Sequence, residues 1–164
     1  MNNSQLINQD SGNFEYYTPI ELVNAAREVM GSIDLDPSSS EKANEQIKAL
    51  RFYSEDGLNK PWFGNVWMNH PFSRKNNPLW IKHLVDWYQS RGRVQACCIT
   101  FAATSEKWFR PLLDHPQCFI HGRVNYYLPD GTKKKGVTKG SVVTYLGHNK
   151  EAFKGVFSQF GTVK

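Results

Sequence analysis

Apolar residues recur along this chain in two alternating rhythms, and each change of rhythm marks an element boundary. After Thr18 and Pro19, the segment IELVNAAREVMG sets Ile20, Val23, Ala26 or Arg27, and Met30 at helical spacing. Pro19 suits a first helical turn and Gly31 a stop. SIDLD follows as a strand ending at Asp36-Pro37 and opening into a serine-rich loop, and SEKANEQIKAL reads as a weaker helix or an irregular polar segment. NVWMN is short, aromatic and β-prone, and it stops at the turn-forming His70-Pro71, which predicts a buried strand. From Asn77 to Ser90, Leu79, Trp80, Leu84, Trp87 and Tyr88 keep a helical period, with Pro78 at the start and Gly92 beyond the end. VQACCITF reads as a continuous buried strand, SEKWFRPLLDH as a short helix interrupted near Pro111, QCFIHGRVNYYL as one or two strands, and SVVTYLG as a last one. The alternation predicts an α/β fold with a mostly parallel sheet covered on both faces. Ligand sites then fall at the carboxyl ends of its strands.

Length and composition narrow this picture. A chain of 164 residues supports one substantial core, so a single domain is expected. Its body is expected over residues 14–147, between a flexible N-terminus (1–13) and a C-terminal tail (148–164); the Lys133-Lys134-Lys135 run is expected to be mobile as well. No apolar run approaches the roughly 20 residues a bilayer span needs, and the start of the chain lacks the order of a secretion signal, so a cytoplasmic location is expected and no membrane partner. The three cysteines, two of them adjacent at Cys97 and Cys98, match neither a disulfide framework nor a metal site and read as small core residues. His83, His115, His121 and His148 have no metal-ligand spacing, and no metal is expected. Trp62, Trp67, Trp80, Trp87 and Trp108 lie in apolar segments, which makes most of them core. Twenty Lys and Arg against 15 Asp and Glu give a net charge of +5, which favours a polyanionic partner.

Two segments stand just past predicted strand ends, where this architecture carries chemistry: Asp34-Leu35-Asp36-Pro37 and Asn69-His70-Pro71-Phe72. The first reads either as a turn or as a strand-end carboxylate for a polar or cationic cofactor group. In the second, the Asn69 oxygen and the His70 backbone carbonyl are suited to accept both protons of an adenine amine, orienting its nitrogen toward an electrophilic methyl. Phe72 is suited to stack on a base taken out of the duplex, or else it closes a strand-end turn from within the core. Arg74-Lys75, Arg123 and Lys133 to Lys135 fall near strand ends, where cations meet phosphates or form solvated loops.

The order of these segments resembles the small phage-type DNA adenine-N6 methyltransferases, whose strand-end signature is Asn-Pro-Pro-Tyr or Asn-Pro-Pro-Phe. The resemblance runs through Tyr17-Thr18-Pro19, Asp34-Leu35-Asp36-Pro37, Phe52-Tyr53, Asp56-Gly57-Leu58, Trp67 to Ser73, Trp108-Phe109 and Gly122-Arg123-Val124. It implies a Rossmann-like methyltransferase fold, S-adenosylmethionine as cofactor, DNA as partner and no metal. By position it implies Asn69, His70, Pro71 and Phe72 as the catalytic signature, and Tyr17, Thr18, Asp34, Asp36 and Pro37 around the cofactor. Arg74, Lys75, Arg123, Lys133, Lys134 and Lys135 become the implied DNA contacts. His70 departs from the pattern by replacing the first proline, which keeps the carbonyl and loses the rigid backbone angle. A binding module without turnover, or an amino-methyltransferase acting on RNA or cytosine, is the alternative reading. The resemblance also suggests phage or prophage origin in a bacterial host and a role in marking DNA against restriction.

Overall fold

Helix α1 spans Ile20–Met30 and ends at Gly31, whose φ of 93° is left-handed and whose N–H closes on the Arg27 carbonyl. Only glycine adopts that angle without strain, which explains a sharp stop before the first strand. The computed structural model describes residues 16–134, 137 and 139–164. Past α1 come β1 (Leu35–Asp36), α2 (Glu41–Ile47), β2 (Arg51–Phe52), a single 3-10 turn (Gly57–Asn59), β3 (Asn65–Met68), α3 (Asn76–Ser90) and β4 (Gln95–Phe101). A 3-10 helix (Lys107–Asp114), β5 (Gln117–Ile120), β6 (Ser141–Leu146), α4 (Lys150–Phe157) and β7 (Gly161–Val163) complete the order. The polar segment after Pro37 is a helix because Ser40 caps it, its hydroxyl accepting the Ala43 N–H at 3.0 Å.

The seven strands form one sheet in the order β2-β1-β3-β4-β6-β5-β7. The expectation of a mostly parallel sheet is corrected: β2, β1, β3 and β4 pair in parallel, while the three pairings from β4 through β6 and β5 to β7 are antiparallel. Parallel neighbours need a crossover, usually helical. Among the described residues the chain from β5 to β6 shows no helix, and β6 returns antiparallel between β4 and β5. The crossover through α4 then brings β7 to the far side of β5.

Central strands show why the apolar runs are continuous. Trp67, Cys97, Ile99 and Phe101 face one cluster under α1 and α4, while Val66, Met68, Ala96 and Cys98 face the other under α3. Alternate residues serve opposite faces, so adjacent Cys97 and Cys98 belong to different cores. All three cysteines are buried, as are Trp62, Trp67, Trp80 and Trp87.

Three local expectations change. Pro111 lies inside the 3-10 helix without interrupting it. Residues 148–164 are no loose tail, because α4 packs on α1 and buries Phe153 and Phe157 completely. Lys133 bridges Tyr127, and the Lys134 N–H bonds the Tyr126 carbonyl at 2.7 Å, so both backbones are tied down. Lys135 and residues 1–13 lie outside the described residues.

Candidate active site

β1 and β3 are parallel neighbours, with Leu35 opposite Val66. Asp36, which ends β1, and Asn69, which follows the end of β3, therefore both stand at the carboxyl ends of neighbouring strands, where strand-end chemistry falls. A cavity of about 190 Å³ opens there, and its lining joins Tyr17, Thr18 and Asp36 to Asn69, His70, Pro71 and Phe72. Ser38, Ser39, Ser40 and Ser54 add further polar positions, and Tyr16 closes the wall beside Tyr17. Ser54 follows β2, so strand-end reasoning would have reached it had that two-residue strand been legible. Tyr16 carries no signal beyond its place beside Tyr17.

Asn69 is held by its amide. Its Nδ2 donates to the Tyr16 carbonyl at 2.8 Å and to Thr18 Oγ1 at 3.0 Å. A carbonyl facing Tyr16 O would set two acceptors together, so the amide orientation follows from its partners. Both N–H groups are used, and Oδ1 is the atom left to accept from a ligand.

Asp36 is 1% exposed, and burial pushes its carboxyl up to about 8. The Ser38 N–H, 3.2 Å from Oδ1, and the Ser39 hydroxyl partly offset that shift. His70 turns its ring away from solvent, with Nε2 2.7 Å from Asn77 Oδ1. Because that oxygen accepts, Nε2 carries the hydrogen, and burial lowers the ring to about 4. The ring packs edge-on to Phe72 at 5.3 Å and nearly parallel to Trp80 at 6.5 Å. Asn77 carries no signal in the sequence beyond its place at a helix start.

Phe72 is no open stacking plate. It is 6% exposed and packs against Phe101 at 4.8 Å and Tyr126 at 6.2 Å. Asp34 and Pro37 stand outside the cavity lining. Asp34 accepts the Asn65 N–H and the Ser32 hydroxyl, while the Pro37 carbonyl lies where a Cβ at Gly57 would come within 1.9 Å. Arg74 and Lys75 are exposed on the turn that follows the signature, and Arg123 and Lys133 are exposed between β5 and β6. Lys134 is half-buried and lines a small void with Tyr16 and Phe72. Among the described residues no group of three or more His, Cys, Asp or Glu could hold a metal ion, and no helix is long and apolar enough to cross a membrane.

A family model described as DNA N-6-adenine-methyltransferase (Dam) matches residues 6–160. No curated protein matches the chain. With nearly its whole length covered by that match, including the strand ends that build the cavity, the chain belongs to the DNA N-6-adenine-methyltransferase (Dam) family.

Proposed function

We propose that the protein transfers a methyl group from S-adenosylmethionine to the N6 amine of adenine in DNA, on a Rossmann-like methyltransferase fold. The observation that carries this reading is the Asn69 amide, anchored through both N–H groups so that Oδ1 remains to accept. One adenine N–H donates to Asn69 Oδ1 and the other to the His70 backbone carbonyl, which leaves the nitrogen lone pair directed at the methyl donor. One amine proton passes to water as the N–CH3 bond forms.

Asp36 and the serine loop fit the cofactor. A buried carboxylate is costly unless it receives hydrogen bonds or a cation, and a ribose diol or an ammonium group provides them. Tyr16, Tyr17 and Thr18 complete the lining on the side of Asn69, which bonds the Tyr16 carbonyl and the Thr18 hydroxyl. S-adenosylmethionine supplies the methyl group on a sulfonium that departs as a neutral thioether. His70 takes no proton in this scheme, because its ring is buried, its Nε2–H is committed to Asn77, and its basic nitrogen, Nδ1, is buried with no polar partner among the described residues through which a proton could arrive. Stacking of a base on Phe72 requires the ring, 6% exposed here, to be uncovered. Arg74, Lys75, Arg123 and Lys133 to Lys135 supply cations for the DNA backbone. By resemblance, the product would mark DNA against restriction in a bacterial host.

Transfer of labelled methyl to adenine-containing DNA, with nucleoside identification, tests this for wild type and Asn69→Ala. Methyladenine from wild type and none from the folded variant is the expected result. Labelled cytosine or RNA would redirect the substrate, and no transfer by folded protein would leave a binding module.

A further inference from the structure

We propose that Thr18 is a positioning residue for Asn69, acting through the amide rather than on the cofactor; the proposal rests on the methyl-transfer reading above. The torsion that turns an asparagine amide is broad and has no staggered well to hold it. One hydrogen bond, to the Tyr16 carbonyl, decides which end of the amide faces that wall. It leaves the amide plane free to rock. The second, from Nδ2 to Thr18 Oγ1 at 3.0 Å, fixes the plane and with it the direction of Oδ1.

Thr18 is built to hold still. Its side chain is β-branched and stiff at its first torsion, and the residue is 8% exposed. Its neighbours are anchored on both sides: Pro19 leads into α1, and Tyr17 exchanges backbone hydrogen bonds with Tyr127 at 2.7 and 2.9 Å. Asn69 in turn follows Met68, which is registered against Cys98 at the centre of the sheet. Two rigid elements thus meet at one hydroxyl and one amide.

The test pairs Thr18→Val, which removes the acceptor, with Thr18→Ser, which retains it. The first readout is solvent exchange of the Asn69 side-chain NH2 protons by nitrogen-edited NMR, with the signals assigned by their loss in Asn69→Ala. Exchange should be slow in wild type and Thr18→Ser and faster by about tenfold in Thr18→Val, as expected when one of two protecting hydrogen bonds is removed. The second readout is kinetic: Thr18→Val should lower kcat about tenfold, with KM for S-adenosylmethionine within about twofold of wild type, since a transition-state interaction has been disturbed. Thr18→Ser should recover most of kcat. Unchanged amide exchange in Thr18→Val would overturn the proposal, and so would a raised KM for the cofactor at unchanged kcat. Absence of methyladenine from wild type would instead sink the methyl-transfer reading, while the exchange data still decide whether Thr18 holds the amide.

Discussion

Asp34 Oδ2 accepts the backbone N–H of Asn65 at 2.8 Å, tying the turn after α1 to the first residue of β3. Its other oxygen takes the Ser32 hydroxyl at 2.9 Å, and Gly64, at φ 65°, lies so close that a Cβ there would come within 2.2 Å of the carboxylate. This carboxylate shapes the entry to the strand that carries Asn69. Asp34→Ala should therefore cost about 1–3 kcal/mol of stability by leaving a strand-entry donor unpaired, and leave cofactor affinity of the folded fraction unchanged. Urea unfolding beside a cofactor titration checks it; weakened affinity at full stability would return Asp34 to the cofactor site.

Asp36 predicts a pH dependence of opposite sign to that of an ordinary carboxylate. Its folded value of about 8 lies above the usual 3.8, so the folded chain holds a proton that the unfolded chain has released. Stability is then lost as pH rises from about 4 to 8. Asp36→Asn, which cannot ionise, should gain on wild type across that window, and the gap should level off above it. Denaturant midpoints of both proteins at pH 5, 7 and 9 measure the effect. A gap independent of pH would mean that Asp36 is ionised throughout.

Much of this architecture is legible in the chain because its central elements announce themselves. VQACCITF is buried on both faces and reads as an unbroken apolar run, and α1 carries both its helical period and its glycine stop. Arg51–Phe52 is too short to show any alternation, which hides β2 from a reading of the sequence, and Ser54 with it. The stretch from Lys150 to Phe157 is short and lies at the end of the chain, which makes it resemble a tail, yet Ala152, Phe153, Val156 and Phe157 recur at helical spacing and fall on one helical face. At the site, residue type places Asn69 and Asp36 correctly at neighbouring strand ends. The bond from Asp34 to Asn65 and the burial of Phe72 against Phe101 and Tyr126 depend on partners far along the chain, and the inward turn of His70 toward Asn77 and Trp80 depends on how the following helix folds back on the turn, which no local pattern encodes.

The last helix should be indispensable to folding. Phe153 stacks on Tyr145 at 5.4 Å and on Phe157 at 4.6 Å, with no exposed surface. Phe153→Ala should cost about 3–5 kcal/mol, the range for an aromatic side chain deleted from a packed core. Removing residues 148–164 should leave no cooperative transition. Thermal unfolding followed by circular dichroism distinguishes this from a loose appendage, whose removal would leave the melting temperature in place.

Arg74 and Lys75 are exposed on the turn after the signature, two and three residues beyond Phe72 in the cavity lining. If both meet phosphates, replacing them together with alanine should weaken DNA binding and reduce the slope of log K against log salt by about 2, close to one for each phosphate no longer neutralised. Cofactor affinity should be unaffected. Fluorescence anisotropy on a labelled duplex at several salt concentrations gives the slope, and an unchanged slope would place the DNA elsewhere on the surface.

His70 stands where the related signature has proline, and two effects of restoring proline oppose each other. Proline stiffens the turn by fixing its backbone angle. It also removes a ring that is 2% exposed, packed between Phe72 and Trp80, and bonded to Asn77 at 2.7 Å. The missing packing and the unpaired Asn77 oxygen outweigh the stiffening, so His70→Pro should be destabilised by about 1–3 kcal/mol. A second signature lies in pH. The ring titrates near 4 in the folded chain against 6.5 ordinarily, so the unfolded chain binds the extra proton between those values, and stability falls as pH drops from about 6.5 to 4. His70→Pro should lose the share of that fall that comes from His70. The wild-type kcat profile should show no limb near 6.5, because the ring is already neutral there and its Nε2–H is engaged. A limb at that pH that disappears in His70→Gln would instead assign the imidazole a part in moving the amine proton.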